Sequence, residues 1–153
     1  MDDVMDLQRR KFIDYMTSLY REGYLDDQFT QLQKLEDESS PNFVKEIVTL
    51  FFQDSDKLIE NLAKALQHHV VDFNQVSNHA HQLKGSSSSV GANKIKNICA
   101  MFRGYCEEKN HDACLACLQT LQHEYNVLKN KFEHLFKLEH DIVSIGGTIP
   151  TMD

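Results

Sequence analysis

The chain has few residues that break helices and no long apolar run. Only six glycines and two prolines occur in 153 residues, whereas 41% are hydrophobic and 25% are charged. This composition excludes a collagen-like or disordered chain and is typical of a globular protein rich in helix formers. No segment approaches the roughly eighteen apolar residues of a membrane span, and the amino terminus lacks the pattern of a secretory leader. We therefore expect a soluble, intracellular protein with no membrane partner.

Positive charge is also scarce, since the formal net charge is -7. General nucleic-acid binding needs a basic surface, so we expect no nucleic-acid partner. Residues 79–110 are a local exception, because five basic and two acidic side chains give that stretch a net charge of +3. Such a patch favours docking of an acidic partner.

Helical periodicity is almost continuous, and no strand alternation persists anywhere. We predict an all-α fold with six helices. The first two helices lie near residues 5–21 and 26–38, and the third runs from Pro41 to about residue 69. The fourth begins after Asp72 and the fifth near Ala92. The sixth begins at Asn110 or Asp112 and runs through Leu135. Short loops favour antiparallel neighbours, so the last four helices predict an antiparallel four-helix bundle with the first two packed on it.

The length fits a single domain. We assign residues 1–39 to the N-terminal helices and 40–141 to the bundle, which together make one domain over 1–141. Gly23 is predicted to end the first helix, Ser40 to cap a third helix whose first residue is Pro41, and Asp72 to cap the fourth. Residues 142–153 contain Gly146, Gly147 and Pro150 and show no amphipathic period, so we predict a flexible tail.

The stretch "HAHQLKGSSSSVGA", residues 79–92, is unusually polar for a helix of this chain. Apolar or small residues repeat at spacings of three and four and predict a buried stripe: Phe73, Val76, Ala80, Leu83, Ser87 and Val90. His81 lies about 130° from the middle of that stripe and is predicted to face water. His79 lies about 70° from it, which predicts a boundary residue, with a supporting contact to a partner as the alternative.

Lys84 and Gly85 follow His81 by three and four residues and share its side of the helix. A glycine inside a helix costs about 1 kcal/mol relative to alanine, so its use here requires a reason. The steric reason is that Gly85 leaves the imidazole uncovered for a second molecule, while Lys84 can reach an anion on the ring. This arrangement is typical of a nucleophile that accepts a phosphoryl group. The alternative is a solvated surface histidine.

The string "HQLKGSSSSVGA", with "NKIKN" and "FRGYCEEKN" downstream, closely resembles the active motif of plant-type histidine-containing phosphotransfer proteins. That resemblance implies that His81 is the phospho-accepting residue, Lys84 the phosphate-neighbouring lysine and Gly85 the small residue beside the ring. Three further polar side chains near the motif are weaker candidates for contacts with the phosphate: Gln82, Ser86 and Ser88.

The resemblance also implies a function. The chain would be a carrier between receiver domains of hybrid histidine kinases and of response regulators, and not an independent enzyme. It would have no cofactor or metal site of its own, with Mg²⁺ in the partner receiver. Cytokinin signalling, a monomer, and location in cytoplasm and nucleus are further expectations. Some family members have lost the histidine and act as inhibitors, but His81 is present here, so the resemblance implies an active carrier. The alternative is a non-catalytic helical adaptor that binds receivers without carrying phosphate.

Four cysteines occur between residues 99 and 117. A zinc or thiol module is a third hypothesis, but the ligand spacing is poor. Cys99, Cys106 and Cys114 fall on apolar stripes, which favours core packing. A redox role for the pair Cys114 and Cys117, within one helical turn, stays open.

Overall fold

The computed structural model describes residues 2–150, and these residues form six helices. The helices are α1 (Asp2–Arg21), α2 (Asp27–Lys34), α3 (Phe43–Leu66), α4 (Phe73–Val90), α5 (Asn93–Glu107) and α6 (His111–Ser144). Extended pairing within residues 2–150 is limited to two isolated bridges, Leu25 with Ala92 and Asp37 with Ser40. The all-α prediction is confirmed. None of the described helices is both long and apolar enough to cross a membrane.

Helices α3 to α6 form the bundle, each packing on the next, while α1 packs along α6 and α2 along α4. One cluster of buried side chains takes members from all six helices. Phe29 of α2 and Phe132 of α6 meet edge to face at the centre, with ring centroids 5.5 Å apart. The predicted packing of two helices on a four-helix bundle is therefore confirmed.

The loop between α1 and α2 is clamped to the turn between α4 and α5. The Asp26 amide donates to the Gly91 carbonyl at 3.0 Å, and the Asn93 amide donates to the Tyr24 carbonyl at 3.1 Å. These bonds flank the Leu25–Ala92 bridge. Two segments that are distant in sequence are thereby held together, and we call this contact the loop clamp.

Three helix ends match the sequence prediction. The Asp72 side chain caps α4 by accepting from the amides of Asn74 and Gln75. Asn110 caps α6 in the same way, accepting from the Ala113 amide at 3.1 Å. Gly23 follows α1 with a φ of +79°, as expected of a left-handed terminator.

The predicted boundaries around α2 and α3 are wrong. α2 ends at Lys34 instead of residue 38, and α3 begins at Phe43 instead of Pro41. The cause is Asp37, whose carboxylate accepts from the amides of Ser39 and Ser40, both at 2.9 Å. This local turn competes with the helix for the backbone, so Ser40 belongs to the turn and does not cap α3.

α3 also ends earlier than predicted, at Leu66 instead of about residue 69. The Leu66 carbonyl lies 3.1 Å from His111 Nε2, at the start of α6. That contact satisfies a backbone acceptor which would otherwise lack a partner at the helix end.

The helix α6 continues three residues past the predicted boundary at 141. Ile142 is fully buried, four residues after the buried Leu138, and so continues the apolar stripe. After the helix, Gly147 lies against Met5, and Ile149 packs on the core. Assignment of residues 142–144 to a flexible tail is therefore wrong, and 151–153 lie outside the described residues.

A cavity of about 470 Å³ lies beside this C-terminal segment, lined in part by Glu36, Glu139 and Pro150. Burial raises the pKa of Glu139 to about 7, the Glu36 carboxylate adds to the rise, and Lys45 opposes it. The folded protein therefore binds this proton more tightly than the unfolded chain does. Stability from this group is present at low pH and is lost as the pH rises through about 7.

We expect Glu139→Gln to be more stable than the wild type by a margin that grows between about pH 5 and pH 8. Glutamine stays neutral and so avoids burying a charge at high pH. Urea unfolding of both proteins across this range measures the margin. Glu133→Gln, at an exposed site of the same helix, is the control. A margin that does not change with pH would contradict the assignment to Glu139.

Candidate functional site

The position of His81 depends on a helix with firm ends. Asp72 caps the start of α4, and Gly91 ends it with a φ of +74°. Between them the predicted buried stripe is confirmed at Val76, Ala80, Leu83, Ser87 and Val90, and Phe73 is half-buried. The buried Ser87 hydroxyl donates to the Leu83 carbonyl at 2.7 Å, so it is satisfied within the helix. This packing fixes which side of α4 faces outward.

The two histidines differ as predicted. His81 is exposed, whereas His79 is half-buried at the border of the stripe. The Nδ1 atom of His79 is buried and has no hydrogen-bond partner among residues 2–150. Of these two histidines, His81 is the one whose ring is open to a second molecule.

Lys84 is half-buried, one turn after His81, on the side of α4 that faces α5. Burial raises the pKa of the Cys99 thiol on α5 to about 12 with a further contribution from Cys117, and the positive charge of Lys84 opposes that rise. Lys84 is in neither of the two ion pairs found within residues 2–150. Its charge is therefore not neutralised by a carboxylate of this part of the chain.

Gly85 is exposed, and a Cβ atom built on it would meet nothing within 4 Å. The fold of this chain therefore does not require glycine at that position. Because glycine weakens a helix, its presence points to a requirement outside the chain. The open space beside His81 agrees with the predicted steric role.

The weaker candidates have no role in the hydrogen bonding of the residues that the structure describes. Gln82 is exposed, and Ser86 and Ser88 are half-buried. No side-chain hydrogen bond involves any of the three within residues 2–150. Ser88 lies four residues after Lys84 and shares its side of α4, whereas Gln82 is turned about 100° away from His81. Of the three, Ser88 is the better placed.

Arg103 is a further candidate, to which the sequence alone assigns no role: it lies in the basic stretch and in the string "FRGYCEEKN". The helices α4 and α5 run antiparallel after a short turn, with Cys99 near the level of Lys84. One turn further along α5, Arg103 is at the level of His81. It is half-buried, and its Nε atom has no hydrogen-bond partner among residues 2–150. Because Arg103 lies on α5 and His81 on α4, the spacing of residues along α4 gives no sign that the two lie at the same level.

Comparison with known proteins identifies the family of this fold. The Hpt domain family matches residues 46–131, which include all of α4. Histidine-containing phosphotransfer protein 1 of Arabidopsis thaliana is 54% identical over 151 residues, covering 97% of this chain and 98% of the relative. The sequence resemblance noted above is thus confirmed over nearly the whole chain.

A solved structure and a second relative refine this result. The crystal structure of a histidine-containing phosphotransfer protein from Medicago truncatula matches with a TM-score of 0.89 and 50% identity, covering 95% of this chain and 99% of that one. Pseudo histidine-containing phosphotransfer protein 5 of rice is 43% identical over 130 residues, covering 85% of this chain and 86% of the relative. This chain therefore belongs to the Hpt domain family, the phosphotransfer proteins of two-component phosphorelays.

Proposed function

We propose that this chain is an active phosphorelay carrier. His81 accepts a phosphoryl group from the receiver domain of a hybrid histidine kinase and passes it to the receiver aspartate of a response regulator. The observation that carries the proposal is the exposed His81 ring beside the unpaired Lys84 and the open space over Gly85. In this role the chain is an intermediate and not an independent enzyme.

The chemistry needs little from this chain. An unprotonated ring nitrogen of His81 attacks the phosphorus of the receiver's aspartyl phosphate with its lone pair. The bond between phosphorus and the aspartate oxygen breaks, and its electrons return to the carboxylate. The second transfer is the reverse of this step on another receiver. Mg²⁺ in the receiver would neutralise charge on the phosphoryl oxygens, so we propose no metal or cofactor site on this chain.

Three residues then have separate roles. The capped helix fixes the backbone position of His81 on the exposed side of α4, which lowers the entropic cost of transfer. Lys84 stabilises the negative charge of the bound phosphoryl group. Gly85 allows the receiver surface to approach the ring closely. The side chains of Ser88 and Gln82 are available for hydrogen bonds to the phosphoryl group.

The biological setting of the proposal is cytokinin signalling in a plant cell. It is supported by the plant relatives alone, whose names state phosphotransfer and not a hormone. We propose action as a monomer in both cytoplasm and nucleus, since a chain of 17.7 kDa is small enough to pass between them without a transport signal.

The competing function is that of an adaptor which binds receivers without carrying phosphate. This chain is similar to rice pseudo phosphotransfer proteins as well as to phosphotransfer proteins, so overall identity alone does not distinguish an adaptor from a carrier. The presence of an exposed His81 favours the carrier.

Transfer of label from a receiver tests the two functions. The wild-type chain is mixed with a receiver domain carrying labelled aspartyl phosphate, and the label on this chain is then treated with acid or alkali. We expect rapid uptake of label that acid removes and alkali does not, as for a phosphoramidate. A chain that binds the receiver and takes up no label would establish the adaptor instead.

Substitutions of Gly85 test the steric role. We expect Gly85→Ala to raise the free energy of unfolding by about 1 kcal/mol, because the new methyl group meets no atom and alanine favours the helix. We expect Gly85→Phe to slow transfer from the receiver by about tenfold or more, because the ring obstructs the approach of the receiver. Transfer reactions quenched at successive times measure the rate of transfer, and urea unfolding measures the free energy of unfolding.

Gly104 supplies the matched control, since it is also an exposed helical glycine with nothing within 4 Å of a built Cβ. Gly104→Ala should stabilise the protein similarly and leave transfer unchanged. Unchanged transfer in Gly85→Phe would refute the steric role of this glycine.

A further inference from the structure

The proposed function uses none of the four cysteines, all of which are buried near the contact between α5 and α6. Their partners differ. The Sγ atoms of Cys106 and Cys114 lie 3.9 Å apart. The Cys117 thiol instead donates to the Ile98 carbonyl at 3.7 Å. The partner of Cys114 is thus Cys106 on the neighbouring helix and not Cys117 on its own.

Because of their location, Cys106 and Cys114 are the two thiols that a local opening of the fold exposes first. Cys106 lies in the last turn of α5 and Cys114 in the first turn of α6. Between these helices lies an exposed, charged turn in which Lys109 has a φ of +52°, a left-handed conformation that non-glycine residues rarely adopt. Helix ends beside a strained, exposed turn open at lower free energy than the centre of the bundle.

The closed fold protects both thiols. Burial raises the pKa of Cys106 to about 12, with Cys114 and Cys117 contributing, and it also raises the pKa of Cys114. Because the thiolate is the reactive form, oxidation in the closed state is slow. Oxidation therefore requires a local opening of the turn that brings water to the two sulfurs.

We propose that Cys106 and Cys114 form a reversible disulfide when the protein meets a peroxide. One thiol is oxidised by hydrogen peroxide to a sulfenic acid with release of water, and the second thiol displaces hydroxide from that sulfur, which leaves as a second water. Two thiols and one peroxide thus yield one disulfide and two waters. The sulfurs must approach from 3.9 Å to about 2.05 Å, and a cellular dithiol reverses the reaction by exchange.

Peptide mapping of the native chain tests the bond. The folded protein is treated with hydrogen peroxide, alkylated and digested with trypsin without reductant. Cleavage at Arg103, Lys109 and Lys129 separates Cys106, on peptide 104–109, from Cys114 and Cys117, on peptide 110–129. We expect these two peptides to be joined, with a mass two hydrogen atoms below the sum of peptide 104–109 and of peptide 110–129 alkylated once, at Cys117. Dithiothreitol should separate them.

Alanine variants identify the sulfurs. Cys106→Ala and Cys114→Ala should lose the joined peptides, and Cys99→Ala and Cys117→Ala should keep them. We expect the disulfide to raise the melting temperature of the wild type by about 5 °C, because the cross-link restricts the unfolded chain. A bond within peptide 110–129, a link to Cys99, dimers, thiols that stay reduced, or a lower melting temperature would each overturn the proposal.

Discussion

Replacing His81 by glutamine is expected to reduce phosphate uptake from a labelled receiver to less than about one thousandth of the wild-type rate. Glutamine keeps the polarity and approximate length of the side chain. Its amide nitrogen has no available lone pair, because that pair is delocalised into the carbonyl group. Since residue 81 is exposed, the free energy of unfolding should change by less than about 0.5 kcal/mol.

The matched control is His79→Gln, two residues earlier on the same helix. Its ring borders the core and is half-buried, so this variant is expected to lose a little stability and keep most of the transfer rate. Receiver binding by both variants, measured by calorimetry, separates loss of chemistry from loss of docking. Label that persists in His81→Gln and vanishes in His79→Gln would move the acceptor to residue 79.

The largest expected effect on stability is that of Gly91→Ala, for which we predict a loss of about 3 kcal/mol. Two costs combine. The φ of +74° is left-handed, which costs an alanine about 1–2 kcal/mol. In addition, the new Cβ atom would lie 2.5 Å from the Phe29 amide nitrogen and 2.8 Å from the Asp26 carboxylate. The nitrogen is backbone and cannot move aside without opening the loop clamp.

Gly23 separates these two costs, because its φ of +79° is nearly the same and nothing lies within 4 Å of a built Cβ. Gly23→Ala should therefore lose only about 1 kcal/mol, the cost of the backbone conformation. Urea unfolding followed by circular dichroism gives both values. Equal losses in the two variants would show that the close approach of α2 to Gly91 is not a constraint.

Local patterns predicted most of the helices and the main features of the site. The three-and-four spacing of α4 assigned its buried stripe and distinguished His81 from His79. Asp72 was predicted as a cap from its own chemistry, because a carboxylate before a helix accepts from the first amides. Such signals are contained within a few residues of sequence, so they can be read without the fold.

The wrong predictions concern places where two local signals compete or where the partner is distant in sequence. Ser40 and Pro41 are typical of a helix start, but the Asp37 carboxylate accepts from the amides of Ser39 and Ser40 and holds them in a turn. The glycines after Ile142 predict a tail, whereas the apolar stripe through Leu138 continues to Ile142 and keeps it in the helix. The contact of Cys106 with Cys114 and the level of Arg103 depend on how helices pair, and that pairing is absent from the pattern of any one helix.

The loop clamp and the buried side chains of the two N-terminal helices limit how much of this chain can be removed when the site is transferred to another protein. The matched family segment begins at residue 46, yet Phe12, Met16 and Phe29 are fully buried and come before it. A graft of residues 46–131 into another protein would expose the surfaces that these side chains cover. The transplantable unit is therefore the whole set of six helices, with the N-terminal pair acting as the built-in cover of the bundle.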